Sequence, residues 1–231
     1  MRKKLLFLFA IMLSLLPQAM RADTWSFTWN TSKANGGQGF YNFGSNRVEK
    51  EFYTTELNNV QWNVSAEGTT LYAFTANMGQ YIGSASEPPT SARLWTTGIE
   101  GKVTAVRVTA RVQKAEYAGN VAAFVNGKNY LCNGNSSATL ASTEAEYEFT
   151  VSAEEAQEGE IDIRFQQTSE NKGPLYIRKI EVEYVKTASG VSAPTFSPTA
   201  GTYDEPQTVE ISANGASIAE HTIYYTTDGS N

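Results

Sequence analysis

Among 231 residues the chain carries one histidine, His221, and one cysteine, Cys132. Nucleophilic catalysis needs an activated nucleophile, and the commonest arrangement sets a histidine beside it. His221 falls on an expected loop next to Glu220 near the C-terminus, and no histidine shares a domain with Cys132. Cys132 follows the apolar pair Tyr130-Leu131 at the end of an expected strand, a place that suits a small packed hydrophobe better than a thiolate. Carboxylates are plentiful instead: Glu144, Glu146, Glu148, Glu154, Glu155, Glu158, Glu160 and Asp162 crowd one stretch. A pair of carboxylates facing each other across a pocket is the machinery of glycoside hydrolysis. Most of these residues alternate with apolar ones, however, which turns them toward water on the outer side of a strand. No catalytic residue is therefore assigned. No cofactor or metal is specified either; Asp23 and Asp162 mark the places where a structural calcium, which takes convergent oxygen ligands, would fit, but no motif calls for one.

Binding chemistry has more material. The chain holds 12 Tyr, 11 Phe and 4 Trp. A sugar ring packs its C–H face on an exposed aromatic plane while neighbouring polar side chains hold its hydroxyls, so the informative aromatics are those outside a core face. Trp25, Phe27, Trp29 and Trp62 alternate with polar residues as inward-facing strand positions do. Four others are expected in loops: Tyr41 within Gly37-Gln38-Gly39-Phe40-Tyr41-Asn42-Phe43, Tyr81 beside Asn77 and Gln80, Trp95 after Arg93, and Tyr117 within Ala115-Glu116-Tyr117-Ala118-Gly119-Asn120. Tyr41, Tyr81, Trp95 and Tyr117, with Asn77 and Arg93, form the expected ligand-binding set.

The elements that must position these residues are strands. From Asp23 to about Lys186, short alternating runs are separated by Gly, Asn, Ser and Pro clusters, with no sustained helical period. Trp25, Phe27 and Trp29 share a face, as do Val60, Trp62 and Val64, and as do Val106, Val108, Ala110 and Val112. Asn126-Gly127 between Val121–Val125 and Lys128–Leu131 predicts a hairpin with a type I′ turn. Tyr147, Phe149 and Val151 mark another strand, and Ile161, Ile163 and Phe165 the next, while Ala153 to Glu158 is too short for more than a connecting turn. In the closing run, Leu175 and Ile177 differ in parity from Ile180, Val182 and Tyr184. One extra residue near Arg178-Lys179, a β-bulge, would return all five to the same side. Many strands without intervening helices predict an all-β fold, a two-sheet jelly-roll β-sandwich.

The ends bound the rest. Arg2-Lys3-Lys4, an unbroken apolar run from Leu5 to Leu16, Pro17, and small residues at Ala19 and Ala22 predict a cleavable export signal over residues 1–22. The apolar run is shorter than the roughly 20 residues of a transmembrane helix, so no membrane-spanning segment is expected after cleavage. A net charge of −6, with 18 Lys and Arg dispersed along the chain, gives no basic stripe for phosphate contacts and excludes nucleic acid as an expected partner. One cysteine closes no internal disulfide, so a buried core must supply stability. Thr187 to Ala193, ahead of Pro194, reads as an interdomain linker. Residues 194–231 begin a second β pattern, with Thr208–Ile211 and Thr222–Thr226 as strands, and are too few to bury a core of their own.

Two family resemblances accompany this reading. Pro194-Thr195-Phe196-Ser197-Pro198-Thr199-Ala200-Gly201-Thr202-Tyr203, then Gln207-Thr208-Val209-Glu210-Ile211, then Ile223-Tyr224-Tyr225-Thr226-Thr227-Asp228-Gly229-Ser230 resemble the chitobiase/β-hexosaminidase C-terminal type of immunoglobulin-like module. In that family the last block runs on through a proline into further strands, so the resemblance implies an incomplete immunoglobulin-like β-sandwich with further domains of the same polypeptide beyond it. It also implies an accessory or spacer role in secreted carbohydrate-active proteins. Residues 23–186 resemble the N-terminal jelly-roll modules of large secreted bacterial proteins, through Gly79-Gln80-Tyr81-Ile82-Gly83-Ser84, Leu94 to Val103, and Leu175 to Tyr184. Together these support an exported, non-catalytic module that binds carbohydrate or another surface polymer, located outside the cell, on its surface or in the periplasm. The alternatives are a structural stalk or adhesin segment displaying a distal domain, or an accessory domain of a secreted hydrolase or nuclease.

Overall fold

The computed structural model describes residues 22–44, 47–168, 173–186, 195–197, 208 and 210–212. The export signal as far as residue 21, the linker at 187–193, His221 and the Thr222–Thr226 strand lie outside them. The chain divides into two units, Met20–Thr187 and a second made of Met1–Ala19 with Ala188–Asn231.

In the larger unit thirteen strands follow in order: β1 (Ala22–Thr28), β2 (Tyr53–Leu57), β3 (Val60–Glu67), β4 (Tyr72–Thr75), β5 (Gly79–Ile82), β6 (Ser91–Thr96), β7 (Lys102–Arg111), β8 (Gly119–Val125), β9 (Lys128–Tyr130), β10 (Ala138–Thr139), β11 (Ala145–Thr150), β12 (Ile161–Gln167) and β13 (Leu175–Val185). A single 3-10 turn, Lys33–Asn35, interrupts the loop after β1. No helix among the described residues is long and apolar enough to cross a membrane.

The strands form two antiparallel sheets. The first has the order β11-β7-β13-β5-β4, with β1 also paired to β13; the second has the order β10-β8-β12-β6-β3-β2, with β9 paired to β8. From β5 onward the chain passes repeatedly from one sheet to the other, which is how a jelly roll closes two sheets over one core. The faces that meet are those the alternation marked. Trp62 and Val64 of β3, Val106, Val108 and Ala110 of β7, Phe149 of β11, and Ile161, Ile163 and Phe165 of β12 are all buried. Trp25 stacks on Trp62 at 5.2 Å between ring centres. Each such aliphatic or aromatic side chain removed from water contributes on the order of 1.5–3 kcal/mol, which supports a fold whose only cysteine is unpaired.

Two local devices set the registers. Asn126 and Gly127 take φ of 49° and 78°, and Val125 pairs with Lys128, as a two-residue I′ hairpin requires. In β13 the register against β7 shifts between Ile177 and Lys179, and Leu175, Ile177, Ile180 and Val182 are all fully buried, with Tyr184 half-buried against the core. A second shift, between Glu183 and Tyr184, sets Val103 opposite Tyr184, and Val103 too is buried. The first bulge also lets two strands share one side of β13: β5 pairs with Leu175–Ile177 and β1 with Lys179–Val185. Arg178 at the junction donates to the carbonyls of Trp29 and Ala76, both at 2.8 Å, tying the strand ends together.

In the smaller unit, β14 (Thr195–Ser197) and β15 (Glu210–Ser212) pair antiparallel, with Phe196 opposite Ile211.

Candidate functional site

Register decides which side chains meet on the outer face of the second sheet. Across five strands the pairing aligns Thr54 (β2), Asn63 (β3), Trp95 (β6), Asp162 (β12) and Phe124 (β8) in one outward row. The adjacent row holds Ser65, Arg93, Arg164 and Ala122. The inward neighbours, Leu94, Ile163 and Ala123 among them, are fully buried, so the outward assignment follows from the pleat. Trp95 and Arg93 are therefore strand residues of a sheet face, and Tyr81 is a strand residue of β5; the expectation that these lie in loops is corrected. Their runs are short and bounded by Gly and Pro, which hides a strand from a reading of alternation alone.

Arg93 and Arg164 stand directly opposite each other on β6 and β12. Like charges in that position repel. The compensation is Asp162, whose residue is only 3% exposed although it lies on the outward side. Its Oδ1 accepts from Arg93 Nε at 2.8 Å, and its Oδ2 accepts from Arg164 Nε at 2.8 Å and lies 2.6 Å from Arg164 Nη2. Glu160 takes a further hydrogen bond from Arg93 Nη2 at 2.6 Å. The reading of Asp162 as a solvent-facing carboxylate is thus overturned. Its oxygens serve as a clamp between two guanidinium groups, and the hydrogen bond that Arg93 donates to Asp162 is the main cause that raises the Arg93 pKa above its usual range.

Each clamped guanidinium also lies over an aromatic ring. Arg93 is 4.5 Å from the centre of Trp95, and Arg164 is 4.3 Å from that of Phe124. Phe52, 45% exposed just before β2, meets Trp95 edge-on at 5.6 Å. The result is a strip of aromatic surface interleaved with oriented N–H donors and carboxylate acceptors. Arginine carries five N–H donors in a fixed fork, of which Asp162 and Glu160 occupy only part. Such a strip can pack against C–H faces and hold vicinal hydroxyls at once.

At the β2 end the row runs into a cleft lined by Thr54 and Glu56 from β2, by Gly37 to Tyr41, and by Lys33 and Phe74. Lys33 Nζ lies 3.8 Å over the Tyr41 ring, and Phe74 meets that ring edge-on.

The expected binding set is therefore divided. Trp95 and Arg93 share the strip, and Tyr41 sits at its end. Tyr81 is on the outer side of the first sheet, where it approaches Tyr176, which in turn lies under Arg111 at 3.9 Å. Tyr117 is half-buried in the loop after β7, with Lys114 above its ring. Asn77 is exposed in the β4–β5 turn, where its carbonyl accepts from Arg178. Phe124, Asp162, Arg164, Glu160 and Phe52 lie outside the expected binding set. Phe124 had a signal: it occupies the polar parity of its strand, between Ala123 and Val125, which face the core.

Chemistry elsewhere is sparse. Cys132 is buried, and burial pushes its thiol above the usual range, away from a thiolate. Among the described residues no group of three or more His, Cys, Asp or Glu is placed to hold a metal ion.

Residues 198–231 match the family described as the chitobiase/beta-hexosaminidase C-terminal domain. No curated protein matches the chain. Solved structures similar to it include a xylan-binding module, CBM15, at 15% identity and TM-score 0.37, covering 59% of this chain and 98% of that one. A family 29 carbohydrate-binding module from Piromyces equi gives 16% identity and TM-score 0.34, over 73% of this chain and 96% of that one. The module CBM35 from Cellvibrio japonicus Abf62 gives 10% identity and TM-score 0.31, over 71% and 99%. These are distant similarities, and the β-sandwich assignment rests on the strand order described above.

Proposed function

We propose that residues 23–186 form an exported, non-catalytic module that binds carbohydrate, carried on a larger protein of several domains. The observation that carries this reading is the pair Arg93 and Arg164, opposed across neighbouring strands, held by one buried aspartate and each stacked on an aromatic ring. Like charges set directly opposite each other on a sheet face cost stability, so a face with no ligand to meet has no reason to keep them. A face that must present rings and donors in a fixed relation keeps them and supports them from beneath, which is the part Asp162 plays. Both oxygens of Asp162 are occupied by guanidinium groups, which suits positioning rather than proton transfer. The match of residues 198–231 to a domain named for chitobiase and β-hexosaminidase agrees with a carbohydrate setting.

The test is a pull-down of the full chain on a panel of insoluble polysaccharides, with a Trp95→Ala Arg93→Ala double variant beside it. Retention of the wild type on at least one polymer, and its loss in the variant, is expected. If no polysaccharide retains the wild type, the reading fails, and a stalk or adhesin segment takes its place.

A further inference from the structure

The aromatic surface of the second sheet has a direction. Along β6 the outward positions are Ser91, Arg93 and Trp95, a single ring in three residues. Across the strands, Phe124, Trp95 and Phe52 follow one another, and Thr54 carries the row into the cleft that holds Tyr41. The long axis of the strip is therefore perpendicular to the strands. With neighbouring strands about 4.8 Å apart, the distance from β8 to β2 is on the order of 19 Å.

The cleft at the end of this row is built to hold Tyr41 still. Its neighbours on both sides are tied down by buried amides. The side chain of Gln80, fully buried, accepts from the Phe40 N–H at 2.9 Å and donates to the carbonyls of Phe40 at 3.1 Å and Ala73 at 2.9 Å. Asn42, also fully buried, donates to the Thr70 carbonyl and to the Tyr53 hydroxyl, and accepts from the Val48 N–H at 2.7 Å. A loop with two invested amides around one half-exposed tyrosine has its ordering cost met before any ligand arrives. Lys33, which covers the ring, is itself exposed, and an exposed cation on an aromatic face is displaced at small cost.

Resting on the reading above, we infer that the ligand is the interior of an extended, unbranched polysaccharide laid across the strands from Phe124 over Trp95, and that Tyr41 with Lys33 forms the subsite at its far end. The repeat of an extended pyranose chain is close to one strand spacing, so about four or five units cover the row. Lys33 moves off the Tyr41 ring as the last unit seats, and its ammonium then donates to that unit's hydroxyls. A chain that coils, as α-1,4-linked glucans do, leaves a straight row after a few units.

Calorimetric titration of the full chain with β-1,4-linked gluco-, manno- and xylo-oligosaccharides, from monomer to octamer, tests this, with soluble polysaccharides including amylose alongside. For at least one β-1,4 series, affinity rises with each added unit and levels off near four or five. Tyr41→Ala brings the plateau one or two units earlier and weakens the longest oligosaccharides at least fivefold, leaving the short ones as they were. Trp95→Ala weakens every length. A plateau already at the mono- or disaccharide, long oligosaccharides indifferent to Tyr41→Ala, or binding confined to amylose or to branched polymers would overturn the inference while leaving carbohydrate binding intact. Failure of every saccharide and polysaccharide to bind the wild type overturns the functional reading itself.

Discussion

The outer faces of the two sheets solve the same problem in opposite ways. On the first sheet, Arg107 of β7 has Glu148 on one flanking strand and Glu181 on the other, and it bonds both, at 2.7 and 3.0 Å, together with Glu183 at 3.0 Å. Lys179 adds an ion pair to Glu181 at 2.5 Å. Arg107 thus faces an anion on each flanking strand, which is the ordinary arrangement for a solvated sheet face. On the second sheet, two arginines face each other, a carboxylate is buried between them, and aromatic rings lie beside them. The first face is satisfied by its own residues. The second keeps donors and ring surface in fixed positions at a local cost, and places where local rules are broken and then supported are where function is to be sought.

The largest effect that would break this contrast is expected at Asp162. Asp162→Ala leaves Arg164 opposite Arg93 without its carboxylate and Arg93 with Glu160 alone, and urea unfolding should show a loss of about 2–3 kcal/mol, as for a charged hydrogen-bonding group removed from a buried position. Equal stability in the variant would mean the clamp holds nothing. Next is Trp95→Ala, for which polysaccharide affinity should fall tenfold or more, equivalent to about 1.4 kcal/mol. Arg107→Ala, on the other face, should cost about 1 kcal/mol, since Glu148 and Glu183 keep a third or more of their side chains in water, and should leave binding unchanged. The smallest effect is on acid sensitivity. The hydrogen bond from Lys179, with the Arg107 contacts, holds the Glu181 carboxyl below its ordinary value of 4.5. A carboxyl depressed in the folded state contributes stability that is complete above its unfolded pKa and disappears as pH falls through the folded one. Wild type should therefore lose stability more steeply than Glu181→Gln as pH drops below 4.5, with the curves parallel above it. Parallel curves throughout would remove the network from the account of that face.

Much of the fold was legible because it rests on period two. The faces of β1, β3, β7, β11 and β12, the Asn126-Gly127 hairpin and the bulge in β13 all follow from alternation, turn chemistry and a parity break. The short strands β2 and β4 were not, since runs of four or five residues carry too little alternation to declare a face. The site was only half legible. Arg93 and Trp95 were singled out for their types, but their partners come from β12, β8 and the start of β2, and only register brings those strands together. Asp162 illustrates the limit. Alternation sets it outward, as observed, but outward does not mean solvated when two guanidinium groups close over it. Tyr81, Tyr117 and Asn77 have the residue types of the expected set and lie away from the strip.

The claim that the second sheet's outer face is the binding surface is tested most directly by affinity electrophoresis of wild type, Trp95→Ala and Arg107→Ala through gels containing soluble polysaccharides. Wild type and Arg107→Ala should be retarded equally in at least one gel, while Trp95→Ala migrates as it does without polysaccharide. Retardation of Trp95→Ala equal to wild type, or its loss in Arg107→Ala instead, would contradict the assignment.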